Sequence, residues 1–237
     1  MFLYCKISNL IVKFNNKYSL LEKRCKKYIV EPTDYDIEVS ITEDDIRKEQ
    51  TADGNAHEID FYESNCAQRN FVYQLPKYDA ILLHSAVFEI DGKGVALLAR
   101  SGTGKTTHLL LWKKIFSDRM KIINGDKPIV RFEGEELYAY GSPWCGKENY
   151  GINDKTQLMN LCFLERSRIN YVDKMENKDV VNLIMNQIVL PDDTMGRIKT
   201  LQIIDKLIKK CNIWTIHCNM EDEAAEIAYK TIFEAGI

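Results

Sequence analysis

A segment near the middle of the chain, Val95-Ala-Leu-Leu-Ala-Arg-Ser-Gly-Thr-Gly-Lys-Thr-Thr107, joins a short apolar run to a glycine-rich loop. Apolar residues then recur at helical spacing, at Leu109, Leu110, Trp112, Ile115 and Phe116. A strand, a glycine-rich loop and a helix, in that order, form the context in which a phosphate-binding loop occurs. The alternative is a glycine-rich turn that only happens to precede Lys-Thr. The length of the pattern and its context favour a phosphate-binding loop.

Each residue type in this loop suits the binding of a nucleoside triphosphate. Gly102 and Gly104 allow the backbone to curl so that successive N–H groups point at the phosphates. Lys105 supplies a positive charge to the β- and γ-phosphates at the positive end of the following helix. The hydroxyl of Thr106 is placed to coordinate Mg²⁺. The predicted nucleotide-binding residues are Ser101, Gly102, Thr103, Gly104, Lys105, Thr106 and Thr107.

The loop departs from the pattern G-x-x-x-x-G-K-[ST] at its first position, where Ala99 replaces glycine. Alanine is accommodated there if its φ angle is negative. We therefore expect a slightly altered entry into the loop, with phosphate binding retained.

The composition is typical of a folded protein, with 45% apolar and 28% charged residues. A net charge of -3 provides no basic field for nucleic acid or an anionic membrane. No apolar run approaches the roughly 20 residues that a membrane span needs. The seven cysteines include no C-x-x-C pair, so neither a zinc site nor a disulfide framework is indicated. We expect a cytoplasmic protein that binds neither nucleic acid nor membrane.

The chain divides into a small N-terminal part, residues 1–75, and a phosphate-loop domain, residues 76–237. The N-terminal part is predicted to be rich in strands over its first 50 or so residues, because Leu3–Phe14 and Asp36–Ile41 alternate between apolar and polar positions. Thr42 is a predicted helix N-cap, and residues 56–75 have roughly helical spacing.

The second part is predicted to contain both strands and helices. Residues 80–90 are predicted as one buried strand, and Asp91-Gly-Lys-Gly94 as a tight turn. Short strands follow at 121–124, 128–132, 136–140 and 161–165, then helices at about 177–188 and 193–211, a strand at 213–217 and a last helix capped by Asn219. The fold class is α/β with some α+β character, built on a mixed sheet.

Three segments together resemble one protein family. They are Leu83-His-Ser-Ala86, Ser101-Gly-Thr-Gly-Lys-Thr106 and Ile122-Ile-Asn-Gly-Asp126. This set is similar to HPr kinase/phosphorylase, and more so to the HPr-kinase-like and phosphoenolpyruvate-carboxykinase-like proteins of anaerobic bacteria. The region similar to these proteins runs from about Tyr78 to Ile152, and residues 213–229 also resemble them. The resemblance implies a phosphate-loop core of that type.

The resemblance also implies roles for individual residues. His84 would lie beside the transferred phosphoryl group, and Asp126 would act as a base and as a metal partner. The catalytic set is then Asp126, His84 and Lys105, with Thr106 and Asp126 at the metal. In HPr kinase an acidic pair ends this strand, but here Gly125 takes the first position, which puts a reverse, phosphorolytic activity in doubt. Two alternatives stay open: Asp126 as a turn residue of an Asn-Gly-Asp-Lys hairpin, and His84 as a structural histidine.

The segment Tyr140-Gly-Ser-Pro-Trp-Cys-Gly-Lys-Glu-Asn-Tyr-Gly-Ile152 stands where true HPr kinases carry their HPr-recognition signature. Its glycines, Lys147 and a Trp144 that we expect to be exposed are typical of a substrate-facing loop. Alternatively, it is a structural turn in which Trp144 fills a gap in the core. Nearby, Lys127 and Arg131 either steer phosphate or are solvated strand charges. His57, His108 and His217 are interpreted as structural.

These observations predict an ATP- and Mg²⁺-dependent kinase acting on a hydroxyl of a small protein, a peptide or a metabolite. A carboxykinase is a second hypothesis, and a nucleotide-gated binding protein with slow hydrolysis is a third. ATP is the default nucleotide, since no N-K-x-D motif supports GTP. The acceptor and the oligomeric state, a homo-oligomer included, are left open.

Overall fold

The computed structural model describes residues 2–54, 56–100, 102–175 and 180–234, and these form a mixed α/β protein. The strands are β1 (Phe2–Ile7), β2 (Leu10–Asn15), β3 (Ile37–Val39), β4 (Ala80–Leu82), β5 (Ala86–Ile90), β6 (Lys93–Leu98), β7 (Met120–Asn124), β8 (Ile129–Glu133), β9 (Glu136–Tyr140), β10 (Lys155–Arg166), β11 (Tyr171–Lys174) and β12 (Asn212–Cys218). The α-helices are α1 (Ser19–Cys25), α2 (Glu43–Asp53), α3 (Ile59–Val72), α4 (Lys105–Phe116), α5 (Val180–Met185), α6 (Thr194–Lys210) and α7 (Glu223–Tyr229). A π-helical turn, Lys230–Glu234, continues α7.

The N-terminal residues form a three-stranded sheet with helices against it. β1 and β2 make a hairpin, and β3 pairs in parallel with β2. α2 begins with the predicted cap: the Thr42 hydroxyl accepts from the Asp45 N–H, and the Asp45 carboxylate accepts from the Thr42 N–H. The strand-rich prediction for the first 50 residues is wrong at α1, which packs Leu21 and Cys25 into the core. Seven residues give too short a pattern for helical periodicity to be recognised.

The main sheet is mixed, as predicted, with the strand order β4-β8-β9-β10-β6-β5-β7. β10 is its centre: it pairs in parallel with β6 and β12, and its first residues pair antiparallel with β9. β11 pairs antiparallel with β12. The phosphate loop therefore begins at the end of β6, a strand in the interior of the sheet between β10 and β5.

Two hydrophobic clusters hold helices against the opposite faces of this sheet. Successive residues of β6 alternate between them: Val95 and Leu97 pack with α4 and α7, while Ala96 and Leu98 pack with α5 and α6. A third cluster joins the N-terminal sheet and helices to β4, β8 and the residues after β9. The N-terminal residues thus share a core with the rest of the chain, and the division at residue 75 stays a proposal.

The single strand predicted over residues 80–90 is wrong, because β4 and β5 are separate strands. β4 pairs with β8, whereas β5 pairs with β6 and β7. The three residues between them donate their backbone N–H groups elsewhere: Leu83 to Pro128, His84 to Gln187 and Ser85 to Asp126. A continuous apolar pattern cannot reveal such a change of partners.

The last helix also differs slightly from the prediction. Asn219 accepts the N–H of Glu221 through its side chain, but α7 begins four residues later, after Asp222. The turn at Asp91 and Gly92 has the predicted positive φ angles, 49° and 75°. No helix among the residues that the structure describes combines the length and the apolar character needed to cross a membrane.

Candidate phosphotransfer site

The phosphate loop connects β6 to α4 with the backbone that its glycines allow. Gly102 has φ +76° and Gly104 has φ +121°, values that side-chain-bearing residues rarely adopt. A Cβ atom added at either glycine would meet nothing within 4 Å, so the space beside the loop is open. Ser101, a predicted nucleotide-binding residue, lies outside the described residues.

Ala99 sits at the entry to the loop without strain. It is buried against Leu109 and Trp112 of α4, and it is not among the residues with positive φ. The end of β6 therefore requires no glycine. The side chain fills a position in the core that glycine would leave empty.

The start of α4 is suited to an anion. Gly104 is the N-cap and has no side chain to offer, and within the described ranges no other side chain caps the helix. The first backbone hydrogen bond runs from the His108 N–H to the Gly104 carbonyl at 2.9 Å. The N–H groups of the first turn are thus available to a phosphate, which the helix dipole also favours.

The three residues predicted to be catalytic meet at this loop. Lys105 Nζ lies 2.8 Å from His84 Nε2, and the same Nε2 lies 3.2 Å from Asp126 Oδ1. Lys105 comes from the first turn of α4, His84 from the break between β4 and β5, and Asp126 from the turn after β7. Residues distant in sequence thus form one cluster.

His84 Nε2 cannot serve both neighbours in one protonation state. A bare Nε2 accepts a hydrogen bond from the Lys105 ammonium group, whereas a protonated Nε2 donates to the Asp126 carboxylate. The two contacts therefore correspond to two alternative hydrogen-bonding arrangements of the cluster, which differ in whether Nε2 carries a proton.

Burial and charge shift the pKa values of this cluster. Burial lowers the pKa of the Lys105 ammonium group, although Asp126 nearby acts in the opposite direction. Burial would raise the pKa of the Asp126 carboxyl, but the hydrogen bond from His84 and the charges of Lys127 and Lys105 outweigh it, so this pKa lies below its ordinary value. Asp126 is thus an ionised carboxylate at neutral pH.

Asn124 fixes the turn that carries Asp126. Its side-chain Oδ1 accepts the N–H groups of Asp126 and Lys127 at 2.9 and 2.8 Å. Its Nδ2 donates to the Ser142 carbonyl and hydroxyl, both at 3.2 Å. The hairpin interpretation of this turn is wrong, because β7 pairs with β5 while β8 pairs with β4 and β9.

Gly125 stands where the resembling family has a second acid, and the structure leaves little room for one. A Cβ atom there would lie 3.2 Å from Tyr150 Cβ, 3.3 Å from the Tyr150 carbonyl and 3.4 Å from the Cys145 carbonyl. The loop that follows β9 thus packs where such a side chain would begin. An acidic side chain at position 125 would therefore compete for space with the loop that follows β9.

The cluster lines a cleft of about 270 Å³ together with Arg100, Gly102, Gly104, Thr106, Thr107 and Gly125. The oxygen atoms predicted to bind a metal ion in this cleft are the carboxylate oxygens of Asp126 and the hydroxyl oxygen of Thr106. No group of three or more His, Cys, Asp or Glu side chains placed to hold a metal occurs among the described residues. This sparse set fits Mg²⁺, which keeps several waters and takes further ligands from substrate phosphates.

A second pocket, of about 560 Å³, adjoins this cleft through Asp126, which lines both. Lys147 lies exposed at this pocket, in the predicted substrate loop. The expectation that Trp144 is exposed is wrong: its side chain is 4% exposed and stacks on Phe71 with ring centroids 6.0 Å apart. The loop folds over the N-terminal core, so Trp144 both fills that core and lines the pocket.

A third pocket, of about 640 Å³, adjoins the loop on its other side and includes Arg100, Gly102, Arg166 and Gln187. Arg166 donates to the carbonyls of Gly102, at 2.5 Å, and Thr103, at 3.3 Å, and so holds the loop. Sequence reasoning missed Arg166 and Gln187, which come from the end of β10 and the residues after α5. Only the position of Arg166 next to the end of a predicted strand could have pointed to it.

The remaining candidate residues lie away from the cluster. Arg131 donates to the Ser8 carbonyl at 2.5 Å, so it ties β8 to the N-terminal hairpin. His108 is buried against Trp112, and burial lowers its pKa to about 4, which keeps it neutral. His217 stacks on Tyr171 at 4.2 Å. Lys127, by contrast, lines the second pocket beside Asp126.

Comparison with solved structures shows a structural likeness, and the sequence comparisons find no match. No protein-family model matches the chain, and no curated protein matches its sequence. Among solved structures, the chain is similar to the Hpr(Ser) kinase/phosphatase from Coxiella burnetii, with 12% sequence identity and a TM-score of 0.31. The match covers 54% of this chain and 92% of that chain. At these values the likeness carries no argument about activity, and the geometry of the site is the basis for assigning one.

Proposed function

We propose that this protein is an ATP- and Mg²⁺-dependent kinase that transfers the γ-phosphoryl group to a hydroxyl. One observation carries the proposal: Asp126 lines both the phosphate-loop cleft and the adjoining 560 Å³ pocket. A carboxylate between a phosphate site and a second pocket is placed to contact a phosphoryl donor in one and a phosphoryl acceptor in the other. Hydrolysis alone would not need the second pocket.

The chain's own residues supply the steps of transfer. Asp126 accepts the proton of the acceptor hydroxyl, whose oxygen forms a bond to the γ-phosphorus. The bond from that phosphorus to the β–γ bridging oxygen breaks, and ADP leaves with the electron pair. Lys105 stabilises the charge on the phosphates, and His84 positions the carboxylate through its Oδ1 contact, which leaves Oδ2 for the proton. Thr106 and Asp126 would hold Mg²⁺, which neutralises phosphate charge when bound.

The pocket of about 640 Å³ supports ATP as the donor. It adjoins the loop through Arg100 and Gly102 and includes Gln187, which is mostly buried. Gln187 Oε1 is buried with no hydrogen-bond partner in the described part of the chain. An unpaired buried acceptor costs free energy, and the exocyclic amino group of adenine would satisfy it.

Transfer of label from γ-labelled ATP to an acceptor panel tests the function. The panel contains serine peptides and small hydroxylated metabolites, and the variants are Asp126→Asn and the exposed control Asp118→Asn. We expect label in at least one acceptor with wild-type protein and with the control, and much less with Asp126→Asn. Label found only in inorganic phosphate, at a rate that Asp126→Asn leaves unchanged, would contradict the proposal.

A further inference from the structure

The pocket on the far side of Asp126 is built by two distant parts of the chain. Lys23, Arg24, Phe61 and Asn65 come from α1 and α3 of the N-terminal part, and Asp126, Lys127, Pro143, Trp144, Cys145, Gly146, Lys147 and Asn149 come from the turn after β7 and the loop after β9. Its volume of about 560 Å³ is that of a site for one small molecule. The N-terminal part therefore forms one wall of the candidate site.

The charge of this pocket is unbalanced. Its walls carry four cations, Lys23, Arg24, Lys127 and Lys147, against the single carboxylate of Asp126. In the described ranges none of the four forms an ion pair with a carboxylate, although Asp60 lies close enough to Arg24, and Asp126 to Lys127, to oppose the lowering of each cation's pKa by burial. Lys23 and Lys147 are exposed at the rim, while Arg24 and Lys127 are half-buried.

The two half-buried cations are held in place by neutral groups. Arg24 donates to the Ser64 hydroxyl at 2.5 Å, and its guanidinium lies 5.9 Å from the ring centre of Phe61. Lys127 Nζ donates to Gln68 Oε1 at 3.1 Å. Withdrawing a cation from water costs free energy unless an anion compensates it. Neutral partners orient these two cations without neutralising them.

Two buried hydrogen-bond donors are also unsatisfied in the described residues, one on Trp144, which lines the pocket, and one on Gln68, which contacts the pocket residue Lys127. Trp144 Nε1, on a side chain that is 4% exposed, has no partner among the described residues. Gln68 Nε2, on the amide whose oxygen binds Lys127, is likewise buried and unpaired in the described ranges. Cations and unpaired N–H donors together suit a ligand rich in acceptor oxygens.

From this combination we infer that the acceptor is a small hydroxylated oxyanion, a carboxylate or phosphate monoester, whose charged group binds Arg24 and Lys127. The inference rests on the proposed function, since it assigns the hydroxyl end of the molecule to Asp126. The molecule would span the pocket, with the oxyanion against the N-terminal wall and the hydroxyl at the edge shared with the phosphate-loop cleft. Phe61 and Pro143 give its carbon skeleton apolar contacts.

Binding can be tested without catalysis. Glycerate, glycerol 3-phosphate and neutral glycerol are titrated into the full chain with a non-hydrolysable ATP analogue and Mg²⁺, with calorimetric detection. We expect one of the two anions to bind at least tenfold more tightly than glycerol, and the stronger of the two identifies carboxylate or phosphate as the preferred group. Equal or undetectable binding of all three would overturn the inference.

Matched variants locate the binding site. Arg24→Gln and Lys127→Gln remove one charge each, Arg24→Lys keeps it, and Lys26→Gln removes an exposed charge next to α1 but outside the pocket. We expect at least tenfold weaker anion binding for the two glutamine variants, partial retention in Arg24→Lys and no change in Lys26→Gln, with thermal unfolding used to confirm folding. Anion binding that survives both glutamine variants would overturn the assignment.

The same proteins separate this inference from the proposed function. If Arg24→Gln loses anion binding but the wild-type protein transfers no phosphoryl group, the result would support the oxyanion pocket and contradict the proposed kinase activity. Transfer to neutral acceptors or to neutral serine peptides, at rates that Arg24→Gln leaves unchanged, would support the kinase and overturn the oxyanion pocket.

Discussion

Lys105 Nζ and Asp126 Oδ1 both contact one atom, Nε2 of His84, at 2.8 and 3.2 Å. The lysine belongs to the predicted donor site, and the aspartate faces the predicted acceptor pocket. His84 therefore lies between the residue that would hold the phosphates and the residue that would take the proton.

Lys105→Ala should weaken MgATP binding about tenfold to a hundredfold, the scale of losing one charge-assisted hydrogen bond. The lysine faces the cleft, so the fold should persist. Calorimetric titration with MgATP measures the affinity, and Lys113→Ala, an exposed lysine on the same helix, is the control. An affinity equal to that of wild type would mean that this loop does not hold phosphate.

Asp126→Asn should leave MgATP affinity within about tenfold of wild type but slow phosphoryl transfer by roughly 10²-fold, as expected for a lost general base. The turn should survive, because the Asn124 side chain holds it through backbone N–H groups. Single-turnover transfer measures the effect. If Asp126→Asn transferred the phosphoryl group at the wild-type rate, Asp126 would be a structural turn residue and not a general base.

His84→Leu, which leaves no side-chain donor at this position, should move the acid limb of the transfer rate to higher pH. Asp126 must be ionised to accept a proton, and the hydrogen bond from His84 is the largest contribution that lowers its pKa. Without that bond the carboxyl protonates at a higher pH, so activity is lost earlier as pH falls. The pH dependence of the transfer rate, measured for the wild-type protein and the His84 variant, tests this shift. An acid limb that stayed at the wild-type pH, or moved to lower pH, would contradict this role of His84.

Lys147→Met should raise the acceptor KM severalfold while leaving ATP affinity nearly unchanged, because Lys147 lines the acceptor pocket and not the phosphate cleft. Two-substrate steady-state kinetics separate the two constants. If nucleotide affinity fell and the acceptor KM did not, the loop would belong to the ATP site. If neither changed, the loop would be a structural turn.

The strand, loop and helix around the candidate phosphate loop could be predicted because their evidence is local. A strand, two glycines at fixed positions and a helix are contiguous in sequence, and each has its own chemical requirement. The mixed sheet followed from the short strands around that loop. Gly102 and Gly104 adopt the positive φ angles that the loop needs.

The proposed acceptor pocket could not be predicted in the same way. Arg24 lies on α1, a helix too short to be recognised, and it reaches Lys127 only through packing of the N-terminal part against the main sheet. Trp144 was expected at the surface because its loop contains glycine and proline, yet the tertiary fold buries it on Phe71. Such positions depend on contacts between residues more than 50 apart, which leave no periodic pattern in the sequence.

The break between β4 and β5 has a consequence for motion. β4 belongs to the half of the sheet that contains β8 and β9, and β5 belongs to the half that contains β6 and β7. His84 lies in the three-residue joint between these halves, tied by its N–H to Gln187. A change in the angle between these two halves would therefore move His84 relative to α4, which follows β6, and would change the distance from Lys105 Nζ to His84 Nε2.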